Sequence, residues 1–205
     1  MSQRYAFVVK FLPERAESKL LAGRCIKVLH EHVFQHKGFA IGVGFPGWND
    51  ESLGGYISFV SISPERLLAL KTEHYFCLME SEEFFGVSEV IEVPNDCDEV
   101  RFVRNQGIKK CFVGEKRRRL RRAKRRSELR NEIFSPQISV IERQYDKFHV
   151  AQIDSNTTQQ RFSLFIQKEK GITESQSSYN AYGLSTNSRY RGTVPELGEL
   201  IDTLF

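Results

Sequence analysis

Three histidines within seven residues are the side chains whose types and spacing first suggest chemistry: His30, His32 and His36. Histidine suits general-base catalysis because its unperturbed pKa of about 6.5 lies close to physiological pH. His32 and His36 are spaced i, i+4, so they could also share one helix face as metal ligands. No acidic residue or cysteine stands at a matching distance along the sequence. A metal site is therefore the less favoured interpretation, and an ordinary structural role remains the alternative for each histidine.

Hydroxyl groups in the C-terminal half form a second candidate set. A nuclease that uses the 2′-hydroxyl of RNA as its nucleophile needs a base, donors that hold the ribose and phosphate in line, and nearby positive charge. Ser155, Thr157 and Tyr182 could be such donors. A covalent serine nucleophile is less favoured, because no GxSxG-type turn surrounds a serine here. Spacing alone does not pair His30 with Ser155.

Positive charge is concentrated in residues 116–126, where nine of eleven residues are cationic and none is acidic. Without these nine, 21 basic residues remain against 26 acidic ones, so the net charge changes from +4 to −5. Such a local concentration favours a polyanionic partner, because binding releases condensed counterions. A solvated face or a localisation signal is the alternative, but solvated faces normally mix signs. The pattern therefore favours nucleic acid.

The composition limits the class of protein. With 205 residues and 40% hydrophobic content, the chain can bury one or two small cores. The four cysteines show no CxxC pair, which argues against a zinc knuckle or a disulfide framework and favours a reducing cytoplasm. The N-terminus lacks the uninterrupted apolar core of a signal peptide or membrane span. We therefore expect a soluble intracellular protein that does not use a membrane.

One motif is rejected on its context. Residues 42–47 match the dinucleotide-binding pattern GxGxxG. That pattern requires a helix to open at the last glycine, whereas Trp48, Asn49 and Asp50 indicate a loop. These glycines are better explained as a strand end and a turn, and the sequence predicts no cofactor.

The elements that must position these side chains begin with a ferredoxin-like pattern. Periodicity predicts a strand, a helix, two strands, a helix and a strand, which lie at residues 4–12, 16–35, 40–45, 56–62, 63–71 and 88–93. The helix that carries His30 should pack a face of Ala22, Cys25, Ile26, Leu29 and Val33 against the sheet. Residues 73–85 are ambiguous. This order predicts an α+β, RRM-like first domain over residues 1–95.

A smaller α+β domain is predicted over residues 96–205. Residues 98–106 read as an extended segment that places Arg104 and Gln106 on one side if it is a strand. The arginine-rich run follows as a helix within residues 115–134, because neither Gly nor Pro interrupts it. Its like charges at i, i+4 should leave it frayed until phosphates neutralise them. Two strands at 148–153 and 161–167 flank a polar loop, and residues 181–185 read as a last short strand or turn.

The ordered motifs of nearly the whole chain resemble a known family. They are Val28-Leu29-His30, residues 41–46, Val103-Arg104-Asn105-Gln106, residues 155–159, residues 161–166, Tyr182-Gly183-Leu184-Ser185 and Val194-Pro195. The sequence resembles the CRISPR-associated endoribonuclease of subtype I-F systems, which cuts precursor CRISPR RNA at a repeat hairpin. Residues 74–76 and 93–97 look closer to the transposon-associated branch. Residues 196–205 extend past the family's usual ending.

The resemblance implies catalytic roles for three residues. His30 matches the family's general base, Ser155 matches the serine that constrains the ribose, and Tyr182 matches a tyrosine that orients the histidine. Thr157 stands where the family often has a second serine.

The resemblance also implies an RNA-binding set. Arg104 and Gln106 match the pair that reads base edges in the lower stem, and Phe162 matches the aromatic residue that stacks on the terminal base pair. The cationic helix matches the one that lies along the hairpin's major groove. Its RNA-binding cations are Arg117, Arg118, Arg119, Arg121, Arg122, Lys124, Arg125 and Arg126.

The implied function is metal-independent cleavage of precursor CRISPR RNA in the cytoplasm of a prokaryote. The 2′-hydroxyl attack leaves a 2′,3′-cyclic phosphate and a 5′-hydroxyl. The protein is expected to stay on the stem-loop as a subunit of the type I-F guide RNA surveillance complex, in interference or in guided transposition. The main alternative is a non-catalytic subunit that only binds the RNA hairpin. A further alternative is a DNA-binding or transposition accessory factor.

Overall fold

The N-terminal half of the chain forms one antiparallel sheet with helices. The structure is a computed structural model that describes residues 3–13, 17–36, 38, 40–135, 145–154 and 161–205. The elements of this half are β1 (Tyr5–Phe11), α1 (Ser18–His36), β2 (Gly42–Gly44), β3 (Tyr56–Ser61), α2 (Pro64–Lys71), α3 (His74–Ser81), β4 (Phe85–Val87) and β5 (Ile91–Glu92). The strands lie in the order β2-β3-β1-β4, and β5 also pairs with β1. The strand order is that of a ferredoxin-like sheet, which confirms the predicted α+β class.

The last predicted strand of this half was wrong in its bounds. Instead of one strand at 88–93, β4 and β5 pair with β1 on either side of Ser88. The Ser88 hydroxyl accepts a hydrogen bond from Val8 N (2.9 Å), and Ser88 N donates to Val8 O (2.9 Å). A side chain thus takes the place of a backbone acceptor and interrupts the strand. The ambiguous residues before it contain α3.

The C-terminal half forms a second antiparallel sheet. Its elements are β6 (Glu99–Arg104), a 3₁₀ helix (Gln106–Cys111), α4 (Val113–Leu129), β7 (Phe148–Asp154), β8 (Arg161–Ile172), β9 (Val194–Pro195) and a second 3₁₀ helix (Gly198–Thr203). The strands lie in the order β7-β8-β6-β9. The sequence did not predict β9, because two residues that include a proline carry no period-2 pattern. Among the described helices, none is long and apolar enough to cross a membrane.

Helix α1 connects the two halves. Its predicted apolar face is buried in full, and buried residues from both sheets belong to one hydrophobic cluster. On the C-terminal side, α1 packs against β7 at Gly23. A Cβ atom at Gly23 would lie 1.7 Å from the backbone oxygen of Gln152, so only glycine permits this approach. Because Gly23 lies two turns before His30 on the same helix, this contact fixes the distance of His30 from the second sheet. The domain division at residues 95 and 96 stays a prediction.

We expect Gly23→Ala to lower the free energy of unfolding by about 3 kcal/mol, because the added methyl group must push a backbone carbonyl away. Urea denaturation measures this loss. Gly114→Ala is the matched control, since a Cβ atom there meets nothing within 4 Å and the residue lies in the first turn of exposed α4. Gly114→Ala should not lower the free energy of unfolding, because alanine has a higher helix propensity than glycine. Equal stability of the two variants would contradict the close packing of α1 on β7.

Candidate active site

Three of the predicted site residues contact the ring of Tyr182. His30 stacks on it, with 4.4 Å between ring centroids and 23° between planes. The guanidinium carbon of Arg104 lies 4.8 Å from the same ring centroid. Phe162 contacts the ring edge-on at 6.4 Å. The structure therefore brings together side chains from α1, β6, β8 and the turn at residues 181–185.

A rigid turn holds Tyr182 in this position. The side-chain oxygen of Asn180 accepts hydrogen bonds from Tyr182 N (2.8 Å) and Leu184 N (3.3 Å). Gly183 has a positive φ of 71°, and a Cβ atom there would lie 2.6 Å from Val43 and 2.7 Å from Leu29. Gly183 O also accepts a hydrogen bond from Val43 N (2.8 Å). The turn is thus bound to β2 and packed on α1, which fixes the Tyr182 ring beside His30.

His30 is half-buried and has the electrostatics of a base. Burial lowers its pKa below the ordinary value of 6.5, the carboxylate of Glu31 opposes that shift, and the positive charge of Arg104 lowers the pKa further. Phe34, one turn later on α1, lies 4.8 Å from the His30 ring. At neutral pH the imidazole is therefore mostly unprotonated and able to accept a proton.

Arg104 and Gln106 contact each other, but not as residues of one strand. β6 ends at Arg104, whose backbone N donates to Ser185 O (2.8 Å), and Gln106 begins a 3₁₀ helix. The extended segment predicted through Gln106 was thus wrong. The Asn105 side chain accepts a hydrogen bond from Gly107 N (3.0 Å), which turns the chain out of the sheet.

The side-chain amide of Gln106 is assigned with its oxygen towards the Arg104 guanidinium, because the nitrogens there are donors. In this orientation the amide oxygen accepts hydrogen bonds from Arg104 Nε (2.9 Å) and Nη2 (3.3 Å). Burial lowers the pKa of the Arg104 guanidinium, and Tyr182 opposes that shift. Gln106 therefore holds one edge of the guanidinium while Tyr182 supports its face.

The arginine-rich helix α4 is a cationic surface beside the second sheet. It spans Val113–Leu129 rather than 115–134, and none of its seventeen residues, all of them described, is buried. It follows directly from the 3₁₀ helix, and Phe112 at its N-cap stacks on Phe165 with 5.5 Å between ring centroids. Each end carries an acid: Glu115 pairs with Arg118 (3.7 Å) and Glu128 with Lys124 (3.9 Å). The eight predicted RNA-binding cations thus all lie on one exposed helix.

Ser155 and Thr157 lie outside the described residues. β7 ends at Asp154, which pairs with Arg161 at the start of β8. Phe162, the next residue of β8, is the one that contacts Tyr182. The roles of Ser155 and Thr157 stay predictions.

The other two histidines of α1 have structural partners. His32 is buried and its Nδ1 lies 2.6 Å from Glu73 Oε1 at the start of α3. His36 stacks on His32 at 4.2 Å and donates from Nδ1 to His32 O (3.0 Å). Spacing along the sequence could not identify this partner, because Glu73 lies 41 residues after His32, at the N-cap of α3. In the described part of the chain, no three His, Cys, Asp or Glu side chains are grouped to hold a metal ion.

Sequence reasoning missed two residues of this site. Asn180 builds the Tyr182 turn, and an asparagine three residues before a glycine is a recognisable turn signal. Phe34 follows His30 at i+4, a spacing that places two side chains together on a helix.

Comparison with known families gives one result. A model of the Cas_Csy4 family, described as CRISPR-associated protein, matches residues 8–197 of the 205. No curated protein matches the chain. The match covers both sheets, helix α4 and the Tyr182 turn. The chain therefore belongs to the Cas_Csy4 family of CRISPR-associated proteins.

Proposed function

We propose that the protein is an endoribonuclease that cleaves precursor CRISPR RNA at its repeat hairpin and stays bound to the stem-loop. Membership of the Cas_Csy4 family supports a role in CRISPR RNA processing or RNA binding. The observation that carries the catalytic part is the stacking of half-buried His30 on Tyr182, next to the cation of Arg104. A neutral imidazole is what 2′-hydroxyl attack on a phosphate needs, and the positive charge of Arg104 favours that neutral form by lowering the pKa of His30.

The proposed reaction is a transesterification within the RNA. His30 takes the proton of the 2′-hydroxyl directly upstream of the cut, and the resulting oxygen attacks the adjacent phosphorus. The bond from phosphorus to the 5′-oxygen of the next nucleotide breaks, that oxygen takes a proton from water, and His30 returns to water the proton that it removed. The products are a 2′,3′-cyclic phosphate upstream and a 5′-hydroxyl downstream. Tyr182 orients the His30 ring by stacking, and Ser155 is proposed to hold the ribose.

Arg104 is proposed to select the sequence of the lower stem. With Gln106 on the Nε edge, the edge formed by Nη1 and Nη2 is directed to a guanine, whose O6 and N7 accept a bidentate contact. Gln106 is thus proposed to hold Arg104 in position, in addition to reading a base edge itself. Phe162 is proposed to stack on the terminal base pair, a contact of about 1–3 kcal/mol.

Helix α4 is proposed to contact the phosphates of the hairpin. A regular A-form major groove is too narrow for side chains to read, so the helix enters where the short stem ends in its loop. Phosphate contacts position the RNA without reading it, and Thr157 is proposed to add a hydroxyl contact near the cut. Slow product release would follow from the many charges of α4.

Cleavage of the cognate repeat hairpin in EDTA tests the proposal. We expect cutting at one position, products that end in a 2′,3′-cyclic phosphate and a 5′-hydroxyl, and no more than one turnover per protein. Replacing the upstream 2′-hydroxyl with hydrogen should prevent cutting but not binding. A 5′-phosphate on the downstream product, or loss of cutting in EDTA, would contradict this mechanism.

The rate should depend on pH through His30. A general base works in its neutral form, and burial lowers the pKa of His30 below 6.5. We therefore expect the single-turnover cleavage rate at subsaturating protein, which reports on the free enzyme, to be level above about pH 7 and to fall about tenfold per pH unit below the His30 pKa. A midpoint above 6.5, or a rate that rises on acidification, would contradict His30 as the base.

The alternative function is a subunit that binds the RNA hairpin without cutting it. The observation that favours it is the position of the cations on α4, a separate element from the helix that carries His30. Membership of a type I-F complex, a role in interference or transposition, and a cytoplasmic location stay predictions. Binding without cutting by the wild-type protein would select this alternative.

A further inference from the structure

Phe34 is a large aromatic side chain that is exposed beside the candidate base. It lies on α1 one turn after His30, and 61% of its surface is exposed. Its ring centroid lies 4.8 Å from that of His30, with 49° between the planes. Single exposed apolar residues are ordinary on protein surfaces. This one differs because it contacts the imidazole proposed to start the reaction.

Phe34 extends a series of ring contacts across the site. Phe162 contacts Tyr182 at 6.4 Å, Tyr182 contacts His30 at 4.4 Å, and His30 contacts Phe34 at 4.8 Å. In the proposed function, Phe162 covers the last base pair of the stem and His30 reaches the 2′-hydroxyl at the cut. Because Phe162 and His30 both contact Tyr182, we place the cut next to that base pair, so the nucleotide that follows the cut is unpaired. The next aromatic surface along the series belongs to Phe34.

We propose that Phe34 stacks on the unpaired base of the nucleotide that directly follows the cut, an inference that rests on the proposed function. In-line attack requires the leaving 5′-oxygen to lie opposite the attacking 2′-oxygen, and a loose downstream nucleotide does not hold that geometry. Stacking restrains the nucleotide and tolerates any base, because every base has a π-face. Phe34 thereby positions the leaving group and also selects substrates with a base at that position.

Single-turnover cleavage at saturating protein tests the inference with two hairpins that differ at one nucleotide. One hairpin carries a base after the cut, and the other carries an abasic ribose there. We expect Phe34→Ala to cut the first hairpin about tenfold more slowly than wild type and the second at a rate within about twofold of wild type. Phe34→Trp should cut the first hairpin at nearly the wild-type rate.

Phe84→Ala is the matched control. Phe84 is also an exposed phenylalanine, and its backbone oxygen bonds to Leu12 N, just past the end of β1. Helix α1 runs back along the sheet after β1, so His30 lies towards the other end. The control should cut both hairpins at the wild-type rate. If Phe34→Ala slows cleavage of both hairpins equally, Phe34 affects His30 and not the base, and the inference is wrong. The inference is also wrong if cleavage of neither hairpin is slowed.

A binding measurement separates this inference from the proposed function. A hairpin with a 2′-deoxyribose before the cut and 2-aminopurine after it cannot be cleaved, and stacking quenches its fluorescence. We expect the fluorescence to be lower in the wild-type complex than in the Phe34→Ala complex. If the wild type cuts neither hairpin, the endoribonuclease proposal fails, while quenching that depends on Phe34 still supports the stacking. Equal fluorescence in the two complexes overturns the stacking whether or not the RNA is cut.

Discussion

Replacing His30 with alanine is expected to slow cleavage of the repeat hairpin by about 10³-fold, the usual contribution of a positioned general base. Binding should change by no more than about threefold, because the proposed phosphate contacts belong to α4 and the proposed base contact to Arg104. The physical reason is specific to this site. Tyr182 holds the His30 ring and burial favours its neutral form, so His30→Ala removes a proton acceptor that is already in position. Single-turnover rates and filter-binding affinities measure the two effects separately.

His36→Ala is the control for this prediction. His36 is an exposed histidine of the same helix, and it stacks on His32 rather than on Tyr182. It should cut at the wild-type rate. Cleavage by His30→Ala close to that rate would show that another group is the base. Loss of binding together with loss of cutting would show instead that His30 supports the structure of the interface.

The sequence predicts the parts of this protein that depend on local pattern. The ferredoxin-like order followed from periodicity, and the buried face of α1 was identified residue by residue, because both reflect repeats of 2 or 3.6 residues. The helix of the cationic run followed from the absence of Gly and Pro. These features need no knowledge of which elements meet.

The candidate site could not be assembled from the residues in this way. The contact between His30 and Tyr182 depends on a turn built by Asn180 and on Gly183, where a side chain would collide with Val43 and Leu29. The distance of His30 from the second sheet depends on Gly23, where the absence of a Cβ atom lets α1 approach β7. These are single-residue conditions on tertiary contacts, and no periodic pattern records them. The resemblance to a family supplied the pairing that spacing did not.

The end of β6 shows the same limit on a smaller scale. An extended segment through residue 106 predicted Arg104 and Gln106 on one side, and their side chains do meet. The reason is different, because the chain leaves the sheet after Arg104 and the Gln106 amide returns to the guanidinium from a 3₁₀ helix. The prediction that the two side chains lie together was therefore correct, although the strand geometry on which it was based was wrong.

Helix α4 should supply most of the salt-dependent affinity for RNA. Replacing Arg118, Arg119, Arg122 and Arg126 with glutamine removes four exposed charges and keeps good helix formers. With about 0.7 to 0.9 counterions released per phosphate contact, the slope of log Kd against log salt concentration should fall by about 3, and Kd should rise by about 10² to 10³ at 0.15 M salt. Titrations at several KCl concentrations measure both quantities, and circular dichroism confirms that the helix remains.

A charge control and a comparison of different hairpins show whether the loss of RNA affinity comes from phosphate contacts of α4. Lys19→Gln with Lys170→Gln removes two exposed charges from α1 and β8, and it should change the slope by no more than about 1. The α4 variant should bind all hairpins more weakly by a similar factor, and it should keep its preference for the cognate lower stem, because phosphate contacts carry no sequence information.

Arg104→Gln should have the opposite effect: it should lose about 1–3 kcal/mol of the preference for the cognate lower stem, with little change in the slope of log Kd against log salt concentration. If the α4 variant loses affinity and preference together, the helix reads bases, and the proposed division between a positioning helix and a reading arginine is wrong.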